Sequence, residues 1–251
     1  MAEPSFVVPD WPAPPDVRAV ITLRVGGVSA EPYASFNLGE HVGDDAQRVA
    51  ENRVRLQQQL GLPRPPAWLT QVHGTRVVEL HGTEQCPLEA DGAVTSQCGL
   101  VLAVLTADCL PVLACRRDGQ RIGVFHAGWR GLLGGILEAG MAAMETSPDE
   151  ILIYLGPAIG PSRFEVGAEL REAFAAHDST AQDCFHPGRD GRWLADIYAL
   201  ARQRLGWAGV PAAAISGGEY CTVMEAERFF SYRRDGRCGR MATVIWREGG
   251  G

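Results

Sequence analysis

Hydrophobic positions along this chain fall into short runs cut by turn residues, joined by a few stretches of helical period. Residues 1–16 carry Pro4, Pro9, Pro12, Pro14 and Pro15 and read as an extended arm, since proline supplies no N–H to a helix or a central strand. Val17 to Val25 reads as a strand closed by Gly26-Gly27, and residues 31–43, with Pro32, Asn37, Gly39 and Gly43, as a loop. The clearest helix follows: Asp44 with Gln47 resembles a capping box, Val49, Leu56 and Leu60 share a face, and Gly61 with Pro63 stops it.

From residue 67 the texture becomes β. Ala67 to Val72 and Arg76 to Leu80 flank a His73-Gly74 turn, and Leu100 to Thr106 is a continuous apolar run of the kind buried on both faces. Val112 to Cys115 and Ile122 to Phe125 follow, joined by the turn Arg117-Asp118-Gly119-Gln120. A helix is expected from Leu132 to Met144, a strand over Ile151 to Leu155, helices near Ala168–Ala176 and Ala195–Leu205, and strands over Ala213–Ser216 and Met241–Trp246. With no internal repeat and no linker after residue 16, the economical reading is one mixed α/β domain over residues 17–251.

Composition narrows the function classes. A net charge of −7 disfavours nonspecific nucleic-acid and anionic-membrane binding, although Arg233, Arg234, Arg237 and Arg240 cluster near the C-terminus and can form a local basic pocket. Seven scattered cysteines without C-x-x-C spacing, and no leader-like start, point to free thiols in a reducing cytoplasm. No apolar stretch approaches the roughly 20 residues of a membrane helix.

Three turn-borne segments carry the chemistry: Gln71-Val72-His73-Gly74, Ala107-Asp108-Cys109-Leu110-Pro111 and His126-Ala127-Gly128-Trp129-Arg130-Gly131. Each alone has a bland reading, a surface histidine or a small buried thiol. Together, His73, Cys109 and His126 form the nitrogen–sulfur set that a borderline-soft divalent ion selects, and three protein ligands leave a fourth position for water or substrate. Asp91, in an Asp-Gly pair that is also an ordinary turn, and Asp108 are candidates to orient a ligand imidazole or accept a proton. The Gly128–Gly131 turn before a helix is a candidate anion site with Arg130, against the alternative that its glycines serve packing. His41, His81, His177 and His186 read as solvent-facing, and the other cysteines as structural.

In order along the chain, the segments Thr22–Ser29, Phe36–Gly39, His41–Asp45, Gln71–Gly74, Thr106–Cys109, His126–Gly131, Gly156–Pro161 and Phe230–Arg234 resemble the multicopper-polyphenol-oxidase-like family, now described as purine nucleoside phosphorylases. That family includes a bacterial peptidoglycan-editing factor. The resemblance runs from about Ile21 to Trp246 and implies an α/β/β/α sandwich with zinc on His73, Cys109 and His126. It further implies phosphorolysis of adenosine, inosine and methylthioadenosine, deamination of adenosine, and a pocket lined by Arg24, Asn37 and Gln71. Some relatives carry cysteine where this chain has Ser162 and Arg163.

Rival readings differ in chemistry. A full multicopper oxidase needs many histidines, usually in His-x-His pairs, whereas this chain has six histidines and no such pair. One copper on the His₂Cys set remains an alternative to zinc, because blue-copper sites use the same ligands. A Cys–His hydrolase with Cys109 as nucleophile, editing a peptidoglycan precursor, is a second rival, and a metal-binding module without catalysis a third. The leading expectation is a zinc enzyme, monomeric or homodimeric, acting on purine nucleosides and phosphate. The phosphate would rest at the Gly128–Gly131 turn or on the arginines, and Asp108 or Asp91 would carry a proton.

Overall fold

In the computed structural model, which describes residues 6–249, the apolar runs become the strands and helices of two stacked sheets. Pro4 of the proline-rich arm and residues 250–251 lie outside the described residues. The main elements are β1 (Val17–Thr22), α1 (Ala46–Leu60), β2 (Val77–Glu79), β3 (Gly92–Thr95), β4 (Leu102–Thr106), β5 (Leu110–Arg116), β6 (Ile122–Ala127), α2 (Trp129–Gly134) and α3 (Ile136–Ala143). They continue as β7 (Ile151–Leu155), α4 (Ala168–His177), α5 (Ile197–Trp207), β8 (Ile215–Gly217), α6 (Tyr232–Asp235) and β9 (Met241–Arg247).

All five residues of β4 are buried, and the layers show why both its faces are apolar. One sheet runs Phe6–Val7, β1, β9, β4, entirely antiparallel, with Thr243 opposite Ile21 and Val104. The other is mixed, in the order β8, β7, β5, β6, β3, β2, with parallel pairs at both edges. Leu102 and Val104 of β4 join Ile21, Ile245, Val112 and Phe125 in the core between the sheets. Ala103 and Leu105 face the other way, joining Val20, Val244 and Trp246 beneath Leu56 of α1. On the far side of the six-stranded sheet α3 packs over β2, β3 and β6, with α5 against α3. The result is the α/β/β/α order that the resemblance implies, built as the one mixed α/β domain that the sequence pattern predicts. Each fully buried aliphatic or aromatic side chain contributes about 1.5–3 kcal/mol.

Local chemistry moved several boundaries. β1 ends at Thr22, because Arg24 N–H leaves the sheet to donate to the Arg228 carbonyl. The cap of α1 is Asp45, whose carboxylate accepts from Gln47 and Arg48 N–H, while Asp44 instead binds Ser29 and Asn37. The single helix expected over Leu132–Met144 starts at Trp129 and is split by Gly135, whose φ of 102° closes α2 as a left-handed cap. The arm is not wholly outside the sheets: Phe6 and Val7 pair with Thr22 and Ile21. A small sheet of Glu165–Val166, Trp193–Ala195 and Phe185–Pro187 was not legible, its strands being too short to show a period.

Candidate metal centre

His126 is set by β6, one residue before the strand ends, and is buried. Cys109 immediately precedes β5, whose Pro111 lies opposite His126, so strand pairing alone brings the two segments together. His73 arrives from the other side on its turn, with φ 61°. The three ligand atoms all lie within 4.8 Å of one another, with His73 Nε2 3.9 Å from Cys109 Sγ. The two imidazoles meet edge to face at 81°, centroids 4.8 Å apart.

Two carboxylates hold this arrangement. Asp91 is fully buried and takes four donors: His126 Nδ1–H at 2.7 Å, and the backbone N–H groups of Val72, His73 and Gly74 at 3.1, 2.9 and 2.7 Å. One side chain thus turns Nε2 of His126 toward Cys109 and fixes the left-handed turn that presents His73. Asp91 is not in the cavity wall. Asp108, itself at φ 89°, accepts from Thr222 Oγ–H and Arg233 N–H, both at 2.6 Å. Positive φ at two non-glycine residues, one a ligand and one beside a ligand, is conformational strain held by these hydrogen bonds.

Burial opposes charge on both Cys109 and His126, yet their mutual attraction prevails, reinforced at His126 by Asp91. The thiol is brought down to about 6 and the imidazole up to about 9. The shifts favour a thiolate facing a protonated imidazole, the donor pair that a soft divalent ion would take in place of that proton. Zinc bonds of about 2.3 Å to sulfur and 2.0–2.1 Å to nitrogen would draw these atoms closer together than the 4.8 Å within which they lie here.

The ligands open onto a cavity of about 450 Å³ whose wall includes Asp108, Trp129, Phe164, Arg233, Arg240 and His41. Gln71 is also in that wall, but its amide is paired both ways with the Leu105 backbone, at 2.8 and 2.7 Å. The other expected pocket residues are elsewhere. The Arg24 guanidinium is spent on the carbonyls of Ala34 and Ala226, and Asn37 is fully buried, tying Gly39, Asp44 and Arg240 together. Arg130 is exposed, stacked on Trp129 with its Cζ 4.3 Å from the ring centroid.

The Gly128 turn also differs from its anion-site reading. A Cβ at Gly128 would sit 3.0 Å from both Cys109 Sγ and His73 Cδ2, and one at Gly131 2.8 Å from the Gly74 carbonyl. These glycines let α2 approach the ligands, so the packing alternative accounts for them. His41, read as solvent-facing, is exposed and also lines the cavity. Burial, then the Arg240 and Arg53 charges, hold its imidazole below the usual value. Its only sequence signal was the His41–Asp45 segment quoted in the resemblance.

A profile of the family described as multi-copper polyphenol oxidoreductase laccase matches residues 18–248. The chain belongs to this family. The purine nucleoside phosphorylase YfiH of Escherichia coli strain K12 is 51% identical over 242 residues, covering 96% of this chain and 98% of that protein. A purine nucleoside phosphorylase of Pseudomonas aeruginosa, PA4543, is 49% identical with the same coverage. Among solved structures, Neisseria meningitidis protein NMB0706 superposes with a TM-score of 0.93 at 48% identity, covering 98% of this chain and 100% of its own. YlmD from Geobacillus stearothermophilus gives 0.91 at 29% identity, covering 99% and 98%. No helix among the described residues of this family member is long and apolar enough to cross a membrane.

Proposed function

We propose that this protein is a zinc-dependent purine nucleoside phosphorylase that also deaminates adenosine. The observation that carries the reading is a His₂Cys set within 4.8 Å, opening onto a cavity, in a chain about half identical to proteins named purine nucleoside phosphorylase. His73, Cys109 and His126 would hold the ion, and two nitrogens with one sulfur around an open position suit zinc. Copper is the alternative metal, favoured by the same ligand set and by the family's description. When bound, the cation supplies Lewis acidity at the cavity wall.

The chain's own groups supply the rest. In phosphorolysis a phosphate oxygen bonds to C1′ of the ribose as the C1′–N9 bond breaks, its electron pair leaving with the base. Arg233 and Arg240, in the cavity wall, would hold the phosphate: each spends Nη1 on backbone carbonyls, and neither Nε nor Nη2 has a hydrogen-bond partner among the described residues, which supports that role. Asp108 is the carboxylate that meets the cavity, and it would carry the proton that the departing base requires. In deamination the same carboxylate would move a proton from the attacking water to the leaving ammonia. Asp91 has no such access, so its part is to position His73 and His126.

The test is product analysis by mass. Adenosine with phosphate should give adenine and ribose 1-phosphate, adenosine alone should give inosine, and inosine with phosphate should give hypoxanthine. Finding none of these with metal-loaded protein would overturn the reading. Arg240→Ala should raise the phosphate KM about tenfold or more while changing the adenosine KM far less. Equal changes in both would remove Arg240 from the phosphate site.

A further inference from the structure

A second cavity, of about 560 Å³, adjoins the first and shares His41, Gln71 and Leu105 with it. The metal-side cavity, at about 450 Å³, already falls in the range of about 300–1,000 Å³ that encloses a small ligand. The second lobe is therefore surplus to a nucleoside and a phosphate. Its character is also different. Trp68 and Leu69 line it with Pro66 and Pro87, and Thr70 and Cys86 are exposed at its edge. Its one cation is engaged: Arg53 sits 4.3 Å from the Trp68 ring centroid and pairs with Glu40 at 2.6 Å. With that charge neutralised, the lobe favours neither phosphate nor an acidic chain, and its aromatic and proline walls favour flat, uncharged groups.

We propose that this lobe is a substrate subsite for an uncharged, apolar or aromatic substituent attached to the nucleoside, longer than a methyl group. The inference rests on the purine nucleoside reading above and adds a substrate class to it: nucleosides bearing a bulky thioether at C5′ or a bulky amine at C6. Both carry the same apolar chemistry, and the experiment separates them.

Affinities are measured by calorimetry for adenosine, 5′-benzylthio-5′-deoxyadenosine and N6-benzyladenosine, on the full chain and on Thr70→Trp, which fills the lobe from its exposed edge. At least one benzyl analogue should bind about tenfold or more tighter than adenosine, and Thr70→Trp should erase that preference. The analogue that gains identifies the end of the nucleoside facing the lobe. Independently of any variant, that analogue should shield Cys86 from N-ethylmaleimide, mapped by peptide mass, whereas adenosine should not. Adenosine bound without preference for either analogue overturns the subsite alone. A preference that survives Thr70→Trp, or leaves Cys86 fully reactive, does the same. Binding of none of the three compounds overturns the nucleoside reading and the subsite with it.

Discussion

Asp91→Asn is expected to weaken zinc binding about 10- to 100-fold, although the substitution preserves size and shape. Each carboxylate oxygen of Asp91 accepts two hydrogens: Oδ1 from His126 Nδ1 and His73 N, Oδ2 from Val72 and Gly74 N. Whichever way an amide is turned, its NH₂ faces two N–H donors in a site without water access. The His73 turn, already at positive φ, then loses its anchor, and His126 loses the partner that aims Nε2. Breaking a buried, charge-assisted arrangement of this kind costs about 3–5 kcal/mol, which lowers Tm by roughly 6–20 °C in a domain of this size. Metal titration against a chromogenic chelator, with thermal melting of the same samples, checks both effects. A variant that melts lower but binds zinc with unchanged affinity would reduce Asp91 to a scaffold residue.

Cys109→Ser carries the larger functional effect. The hydroxyl occupies the same place but remains protonated near neutral pH, whereas the wild-type thiol, pulled down by His126, is mostly thiolate at pH 7. Zinc content should fall well below one ion per chain, and kcat/KM for adenosine should drop at least about 100-fold. Cys109 is only partly buried, so its packing changes little. The same variant separates the rivals. Intense visible colour in copper-loaded wild type, abolished by Cys109→Ser, would support a copper site, and a trapped acyl-enzyme on Cys109 would support a hydrolase.

The candidate ligands were legible because each stands in a turn or near a strand end beside a small or turn-forming residue, a local signal that survives without tertiary information. Asp91 was legible only as a candidate to orient an imidazole, weighed against an ordinary Asp-Gly turn; its hold on the His73 turn was not, because its four partners lie 17 to 35 residues away. The place of His41 at the cavity was not legible for the same reason: an exposed residue in a polar stretch joins a cavity only when distant segments close around it. Arg24 and Asn37 show the converse. They occur in motifs beside pocket residues, yet their polar groups are consumed by backbone carbonyls and amides of neighbouring loops. A motif marks a region, and only the fate of each donor and acceptor separates wall from scaffold. The two-sided burial of β4 was readable because a continuous apolar run has no polar face to give to solvent.

X-ray absorption at the zinc edge of the purified, metal-loaded protein tests the central claim most directly. The predicted shell is one sulfur at about 2.3 Å, two imidazole nitrogens at about 2.0–2.1 Å and one light donor, the last altered when a nucleoside is added. A zinc shell without sulfur, or one of four protein ligands unchanged by nucleoside, would contradict it.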